Sequence, residues 1–394
     1  TQVQTKIKNS ITSMFEEIVS WREHLHANPE LSFKEENTAS FISSKLIEFG
    51  ISHPYRIADT GVIALIQGRN PDSKCIALRA DIDALPITEA NKVHYKSKSD
   101  GLMHACGHDV HIACLLGAAK VLQSLRNEFE GTIKLIFQPG EELLPGGASI
   151  LIKEGVLENP KVDKILALHV LPSMNVGQLG FKSGDYMAAC DEIYLTVIGK
   201  GGHAAMSSQY LNPILAMAKL LPKLNNFLDS MANSSPYIFV FGDLHAHGAT
   251  NVIPEKAEAK GTFRTFDESW RSLMHLKLKT FVQEFLSKNG FQGELLIKKG
   301  YPFLKNEKQL TNQCAQYAKD YLGIEKVQDM NIRMTAEDFS FYSQKVPACL
   351  FRLGVRNESK GIVHGVHHPN FDIDNKALGI GAGTMAYLAV KLLD

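Results

Sequence analysis

Cysteine is scarce in this chain: six residues in 394, at positions 75, 106, 114, 190, 314 and 349 and mostly flanked by apolar neighbours. That is no disulfide framework, and it suits a reducing compartment. An excess of charge of one sign is also missing, since 42 Lys plus Arg balance 42 Asp plus Glu and the pI lies near 7.2. Without a basic footprint, nucleic acid is not an expected partner. No stretch approaches the roughly 18 uninterrupted apolar residues of a membrane span. The opening Thr1-Gln2-Val3-Gln4-Thr5-Lys6 has no basic patch leading into an apolar run, so neither a membrane anchor nor a secretory leader is expected. The reading is a cytoplasmic protein, with the absent initiator Met leaving room for a trimmed segment. Proline and glycine are modest at 15 and 30, which argues against disorder or a collagen-like chain.

What is present is ordinary globular material, 44% hydrophobic and 21% charged. At roughly 150 residues per domain the length predicts two or three domains. Ile7, Ile11, Met14, Ile18, Trp21 and Leu25 fall at spacings of three and four, one face of an amphipathic helix that Asn28-Pro29 stops. Short apolar runs then alternate with helical segments: strands at 61–66, 74–79, 132–137 and 164–168, and helices at 111–125 and 149–154. This is α/β patterning. Asp81 and Asp83 follow the second strand, Glu141-Glu142 follow the third and His169 caps the fourth. Ligands of open α/β sheets bind outside the carboxyl ends of the strands, so these groups are expected to converge on one crevice.

From residue 187 the pattern changes to half-exposed alternating strands with two helices in the order βαββαβ, a ferredoxin-like α+β unit. It reads as an insertion. The expected organisation is a discontinuous α/β domain, 1–186 plus 300–394, interrupted by a domain spanning 187–299.

The densest chemistry is His104-Ala105-Cys106-Gly107-His108-Asp109-Val110-His111. Thiolate and imidazole are preferred ligands of zinc-like metals, and Gly107 relaxes the turn between Cys106 and His108. In Gln138-Pro139-Gly140-Glu141-Glu142, adjacent carboxylates in irregular backbone point in different directions, so one can hold a metal while the other serves as general base. His169 and the run His364-Gly365-Val366-His367-His368-Pro369 add imidazoles. Cys106, His108, Glu142, His169 and one late histidine exceed what one tetrahedral ion takes, and suit two metals sharing a bridge.

Nine segments carry a resemblance: Leu25 to Leu31, Arg79 to Pro86, His104 to His111, Gln138 to Glu142, Gly199 to Ala205, Asn251 to Pro254, Arg264 to Phe266, Ala336 to Phe339 and His367 to Phe371. In this order they resemble the dinuclear metal amidohydrolases, which include bacterial N-acyl-amino-acid amidohydrolases, hippurate hydrolases, plant auxin–amino-acid conjugate hydrolases and, more distantly, aminoacylase and carboxypeptidase G. The likeness spans nearly the whole chain and is specific for the family rather than for a substrate. It implies a metallopeptidase-type catalytic domain with an inserted lid and dimerisation domain. It further implies Cys106 as the ligand bridging two divalent ions, His108, Glu142, His169 and His367 as the others, and Glu141 as general base. His367 is selected as the histidine two before the proline, with His364 and His368 as substitutes. Asp83 and Asp81 are expected to orient ligands. On the insert, His203 resembles an oxyanion-stabilising histidine, and Asn251 and Arg264 resemble groups that grip a substrate carboxylate. One departure stands out: the usual relatives continue after Gly-Gly-His-Ala-Ala with a residue and then Pro-His, whereas here Met206 leads to Ser207-Ser208.

The expected reaction is metal-assisted hydrolysis of N-acyl amino acids by a homodimer or higher homo-oligomer, with zinc suiting the ligands and manganese, cobalt or nickel fitting the same set. Three rivals stand beside it: a thiol hydrolase with Cys106 as nucleophile, a peptidase acting on dipeptides or short peptides with the same centre, and a non-catalytic protein that kept the fold. His245-Ala246-His247 is read as solvated lid surface, and the remaining cysteines as small hydrophobes.

Overall fold

The structure, a computed structural model, describes residues 2–394. The described residues divide into two compact units, the first comprising 2–186, Lys305–Ile332 and Asp338–Asp394, the second Met187–Leu304 and Arg333–Glu337.

The first unit is built on a mixed sheet whose strands lie in the spatial order Tyr55–Ile57, Gly61–Gln67, Thr132–Gln138, Cys75–Asp81, Lys164–Asn175, Ala348–Arg356, Leu179–Phe181, Val327–Asp329. Cys75–Asp81 pairs in parallel with both Thr132–Gln138 and Lys164–Asn175, and the latter pairs in parallel with Ala348–Arg356. These inner strands are almost wholly buried, which is why they read as continuous apolar runs. Side chains alternate across a sheet. Ile76, Leu78, Ala80, Leu166, Leu168 and Val170 join the main core with the helices Gln2–Ala27, His108–Ser124 and Lys376–Leu393. Arg79, Asp81 and His169 therefore occupy the opposite face. Lys376–Leu393 is apolar and long enough to cross a membrane by composition, but most of it is buried in this core.

Three local expectations need correction. The helix expected from His111 begins at His108, because Gly107 takes a left-handed φ of +78° and turns the chain directly into it; a Cβ there would lie 2.5 Å from Val170. His169 does not cap its strand, which runs on to Asn175 with Val170 opposite Leu353. The helix Glu36–Glu48 was not anticipated, since its Ser, Thr and Asn favour turns and caps. Its first turn is instead satisfied from outside, by Glu30 accepting from the Thr38 N–H and hydroxyl, both at 2.6 Å.

In the second unit the strands Tyr237–His245, Lys256–Thr265, Ala189–Ile198 and Gln292–Lys299 form an antiparallel sheet in that order. With the helices Pro213–Ser230 and Glu268–Lys288 this is the βαββαβ arrangement. Its core reads off two periods: Ile193, Leu195 and Val197 alternate on a strand, while Met217, Leu220, Leu224 and Leu228 recur along a helix. Asn212 and Asp267 cap the two helices by accepting from Ile214 N and Trp270 N. The unit reaches beyond the expected 187–299 and takes back residues 333–337. Ala188 N donates to the carbonyls of Arg333 and Thr335, and Arg264 Nη1 donates to Met334 O at 2.8 Å.

Candidate metal centre

Two strand ends, the middle of a third strand and one helix start supply the centre of the first unit. Cys75–Asp81 delivers Asp81 as its last residue, with Asp83 just beyond. The segment after Thr132–Gln138 delivers Glu141 and Glu142, and Lys164–Asn175 carries His169. His108 and His111 lie on the first turn of the helix that Gly107 starts.

Hydrogen bonds fix the imidazoles with one nitrogen turned inward. His108 Nδ1 lies 3.0 Å from Asp83 Oδ1 and donates to it, which leaves Nε2 facing Asp81 Oδ2 at 3.3 Å, Glu142 Oε1 at 3.7 Å and Glu141 Oε2 at 3.9 Å. His169 Nδ1 donates to the Val170 carbonyl at 2.8 Å and turns Nε2 toward Cys106 Sγ at 3.6 Å. His367 Nε2 approaches Glu142 Oε1 at 3.4 Å, and its backbone N–H donates to Ala105 O at 2.7 Å, tying the late loop to the Cys106 segment. One ligand atom each from Cys106, Glu142 and His367 lie within 4.8 Å of one another, as do those of His108, Glu141 and Glu142. His111 belongs to a different role. Val170 N donates to its Nε2 at 3.0 Å and its Nδ1 donates to Asp81 at 2.5 Å, so both nitrogens are engaged and it orients Asp81.

The electrostatics of this cluster call for a cation. Burial alone would lower the His108 pKa, yet Asp81, Asp83 and Glu142 outweigh it and push the imidazole up to about 10. Asp81, despite its burial, is held well below the usual carboxylate range by His108, His111 and Arg79. His108 Nε2 and Glu142 Oε1 are buried without a hydrogen-bond partner, a costly state that a coordinated ion removes. The donor set of thiol, imidazole and carboxylate fits divalent borderline metals. The same surroundings speak against Cys106 as a nucleophile: burial, then Glu142 and Glu141, push its thiol upward, whereas a reactive cysteine needs a lowered pKa.

Of the late histidines, His364 and His368 stack on each other with centroids 4.4 Å apart and join no ligand group among the described residues. Asp81, expected only to orient ligands, faces His108 Nε2 directly and stands in a ligand-competent group with His108, His111 and His169. Two buried networks were not legible beforehand. Arg79 donates to Gln138 Oε1 and Asp338 Oδ1, both at 2.8 Å, and lies 3.3 Å from Asp81 Oδ2. Asp338 N in turn donates to Glu141 Oε1 at 3.5 Å. His26 sits between Asp109 and Glu89, each at 2.8 Å, with Arg22 on Asp109 at 2.9 Å. His26, Arg79 and Asp338 all lie in the resembling segments, but nothing in their spacing tells that they bond to one another or to the site.

The second unit carries His203, Asn251 and Arg264. Val252 pairs with His203 across a short antiparallel ladder, and Ala204 N donates to Asn251 O at 3.0 Å. Ala205 N donates to His203 Nδ1 at 3.1 Å, which puts the proton of the neutral ring on Nε2. Arg264 lies opposite Cys190 and Ile238 in the sheet and is half-buried. Met206, Ser207 and Ser208 are all exposed.

Comparisons with known proteins bear on the family of the chain. Residues 77–391 match the model of peptidase family M20/M25/M40. An N-acyl-L-amino acid amidohydrolase of Geobacillus stearothermophilus is 38% identical over 75% of this chain and 80% of its own length. An N-acetylcysteine deacetylase of Bacillus subtilis is 35% identical over 96% of this chain and 97% of its own. A solved dinuclear metal-binding peptidase of the M20 family, also from Bacillus subtilis, superposes with a TM-score of 0.83 at 33% identity, covering 97% of this chain and 99% of that one.

Proposed function

The chain belongs to peptidase family M20/M25/M40 as a metal-dependent amidohydrolase, and from that premise we propose that it cleaves the amide bond of N-acetyl or N-aryl-acyl amino acids to a carboxylic acid and a free amino acid. The observation that carries this reading is the pair Glu141-Glu142, whose carboxylates both face His108 Nε2 while Glu142 alone also meets His367. Cys106, His108, Glu142, His169 and His367 would hold two divalent ions, zinc being the best match to the ligands and manganese, cobalt or nickel acceptable to them. Ions bound there would lower the pKa of water in the site and polarise the acyl carbonyl. Glu141 accepts the proton of the attacking water and later returns it to the departing amine. Asp83 holds His108, and the Val170 carbonyl holds His169, in the tautomer that presents Nε2. By the resemblance alone, His203 would donate to the acyl oxygen, a contact worth roughly 3 kcal/mol in comparable oxyanion holes. On the same ground Arg264 and Asn251 would grip the carboxylate of the amino-acid half. The assignment of the second unit as lid and dimerisation domain rests on the resemblance, and the cytoplasmic location on composition.

A second reading, hydrolysis of dipeptides or short peptides by the same centre, is favoured by the peptidase among the solved structures. A side-by-side assay of N-acetyl amino acids, N-benzoyl amino acids and dipeptides decides between the two. Higher kcat/KM on the acylated amino acids supports the proposal, and a dipeptide turned over faster replaces it with the second reading.

A further inference from the structure

Glu141 sits in irregular backbone, and three consecutive peptide groups around it each take part in a hydrogen bond. Gly140 N donates to Glu35 Oε2 at 2.9 Å, the Gly140 carbonyl accepts from Gly147 N at 2.9 Å, and Glu142 N donates to Asp83 Oδ2 at 2.9 Å. Gly147 is the same segment returning on itself, and Asp83 belongs to the metal centre. Glu35 comes from a distant part of the chain.

Glu35 is fully buried, and its other oxygen accepts from Thr60 Oγ1 at 3.1 Å. Its backbone is anchored as well, because the Glu35 carbonyl accepts from Ala39 N at the start of the helix Glu36–Glu48. Two residues earlier, the Phe33 ring lies so close to Gly140 that a Cβ there would sit 2.3 Å from it. Gly140 has a φ of +62°, a conformation glycine adopts without strain. The segment 33–35 thus clamps the backbone of the Glu141 loop at two points, one apolar and one polar.

We propose that Glu35 is a positioning residue for the general base: by holding the Gly140 N–H it sets the backbone from which the Glu141 carboxylate reaches the water in the site. This rests on the amidohydrolase reading above. Burial, with Asp83 as the next contribution, pushes the Glu35 carboxyl up to about 8. A glutamine keeps the acceptor for Gly140 N in its amide oxygen and turns its NH₂ to Thr60 Oγ1.

The test compares Glu35→Leu, Glu35→Gln and Thr60→Val with the wild-type holoenzyme on the N-acyl amino acid that the wild type turns over fastest, with metal content and thermal midpoint measured on each sample. Positioning a general base is expected to show in kcat, since such groups contribute about 10²–10⁴-fold. Glu35→Leu should lose roughly 10- to 100-fold in kcat at unchanged KM and unchanged metal content, and Glu35→Gln should restore most of it. Thr60→Val, which frees one oxygen of Glu35, should fall between them. If Glu35→Leu does not fold, a folded Thr60→Val with reduced kcat and a folded Glu35→Gln near wild type still support the proposal. Wild-type kcat in folded Glu35→Leu, loss of kcat in step with loss of metal, or a Glu35→Gln variant as impaired as Glu35→Leu would each overturn it. Wild type that hydrolyses no N-acyl amino acid is a different result, and overturns the functional reading on which the proposal stands.

Discussion

The two units bury charge in opposite ways. In the second, Asp191 is almost inaccessible, but four donors satisfy it: Arg271 Nη2 and Nε at 2.6 and 3.0 Å, His275 Nε2 at 2.5 Å and Gly300 N at 3.0 Å. The ion pair is closed, and it fastens the helix Glu268–Lys288 to the strand that carries Asp191. In the first unit, Asp81, Asp83, Glu141 and Glu142 gather round one imidazole, and His108 Nε2 and Glu142 Oε1 are left without a hydrogen-bond partner. Buried charge that is paired locally belongs to architecture, whereas buried charge left short of partners marks a place for something bound.

The contrast can be sharpened by substitution, and the largest effect is expected at Glu141. Glu141→Ala should lower kcat by roughly 10²–10⁴-fold while metal analysis finds the same ion content; loss of the ions would move Glu141 into the ligand cage. On the second unit, His203→Ala should cost about 10²-fold in kcat, again with the ions retained. Arg264→Lys should act mainly on KM, because a lysine cannot reproduce the two parallel hydrogen bonds of a guanidinium.

Asp191→Asn probes the closed pair. Breaking a buried ion pair at one partner costs roughly 3 kcal/mol, read as a lower thermal midpoint with metal content untouched. Its pH dependence has a definite sign. The hydrogen bonds and charges of His275 and Arg271 overcome burial and bring the Asp191 pKa from its ordinary value near 4 down to about 2. The stabilisation from its charge is therefore complete above about pH 4 and lost as pH falls through about 2, so wild type and variant should converge across that window in acid-unfolding curves. The smallest effect is expected at the stacked pair: His364→Ala and His368→Ala should leave the metal content at the wild-type value, and a fall in either would transfer the ligand role from His367.

Much of this was legible in sequence because it depends on local pattern. Alternation and helical spacing gave the βαββαβ unit and the buried strands, and the segments around Cys106, Glu141 and His367 gave the candidate ligand types. The rest was hidden because it depends on what meets across the sheet. Glu35 and Gly140 are 105 positions apart, and Arg79 and Asp338 are 259 apart; no periodicity links them. Glu36–Glu48 was missed since its capping group, Glu30, lies outside the helix. The return of residues 333–337 to the second unit was missed for a similar reason, because it rests on bonds from Ala188 N and Arg264 to backbone carbonyls that any residues at 333–335 would offer.

The central claim is that the buried carboxylates, imidazoles and thiol of the first unit hold two divalent ions that the reaction needs. Elemental analysis of the purified protein, paired with activity before chelation, after chelation and after metal is returned, tests it most directly. About two ions per chain, with activity lost on their removal and regained on their return, is the expected result. A chain that carries no metal and hydrolyses its substrate at an unchanged rate after chelation would contradict it.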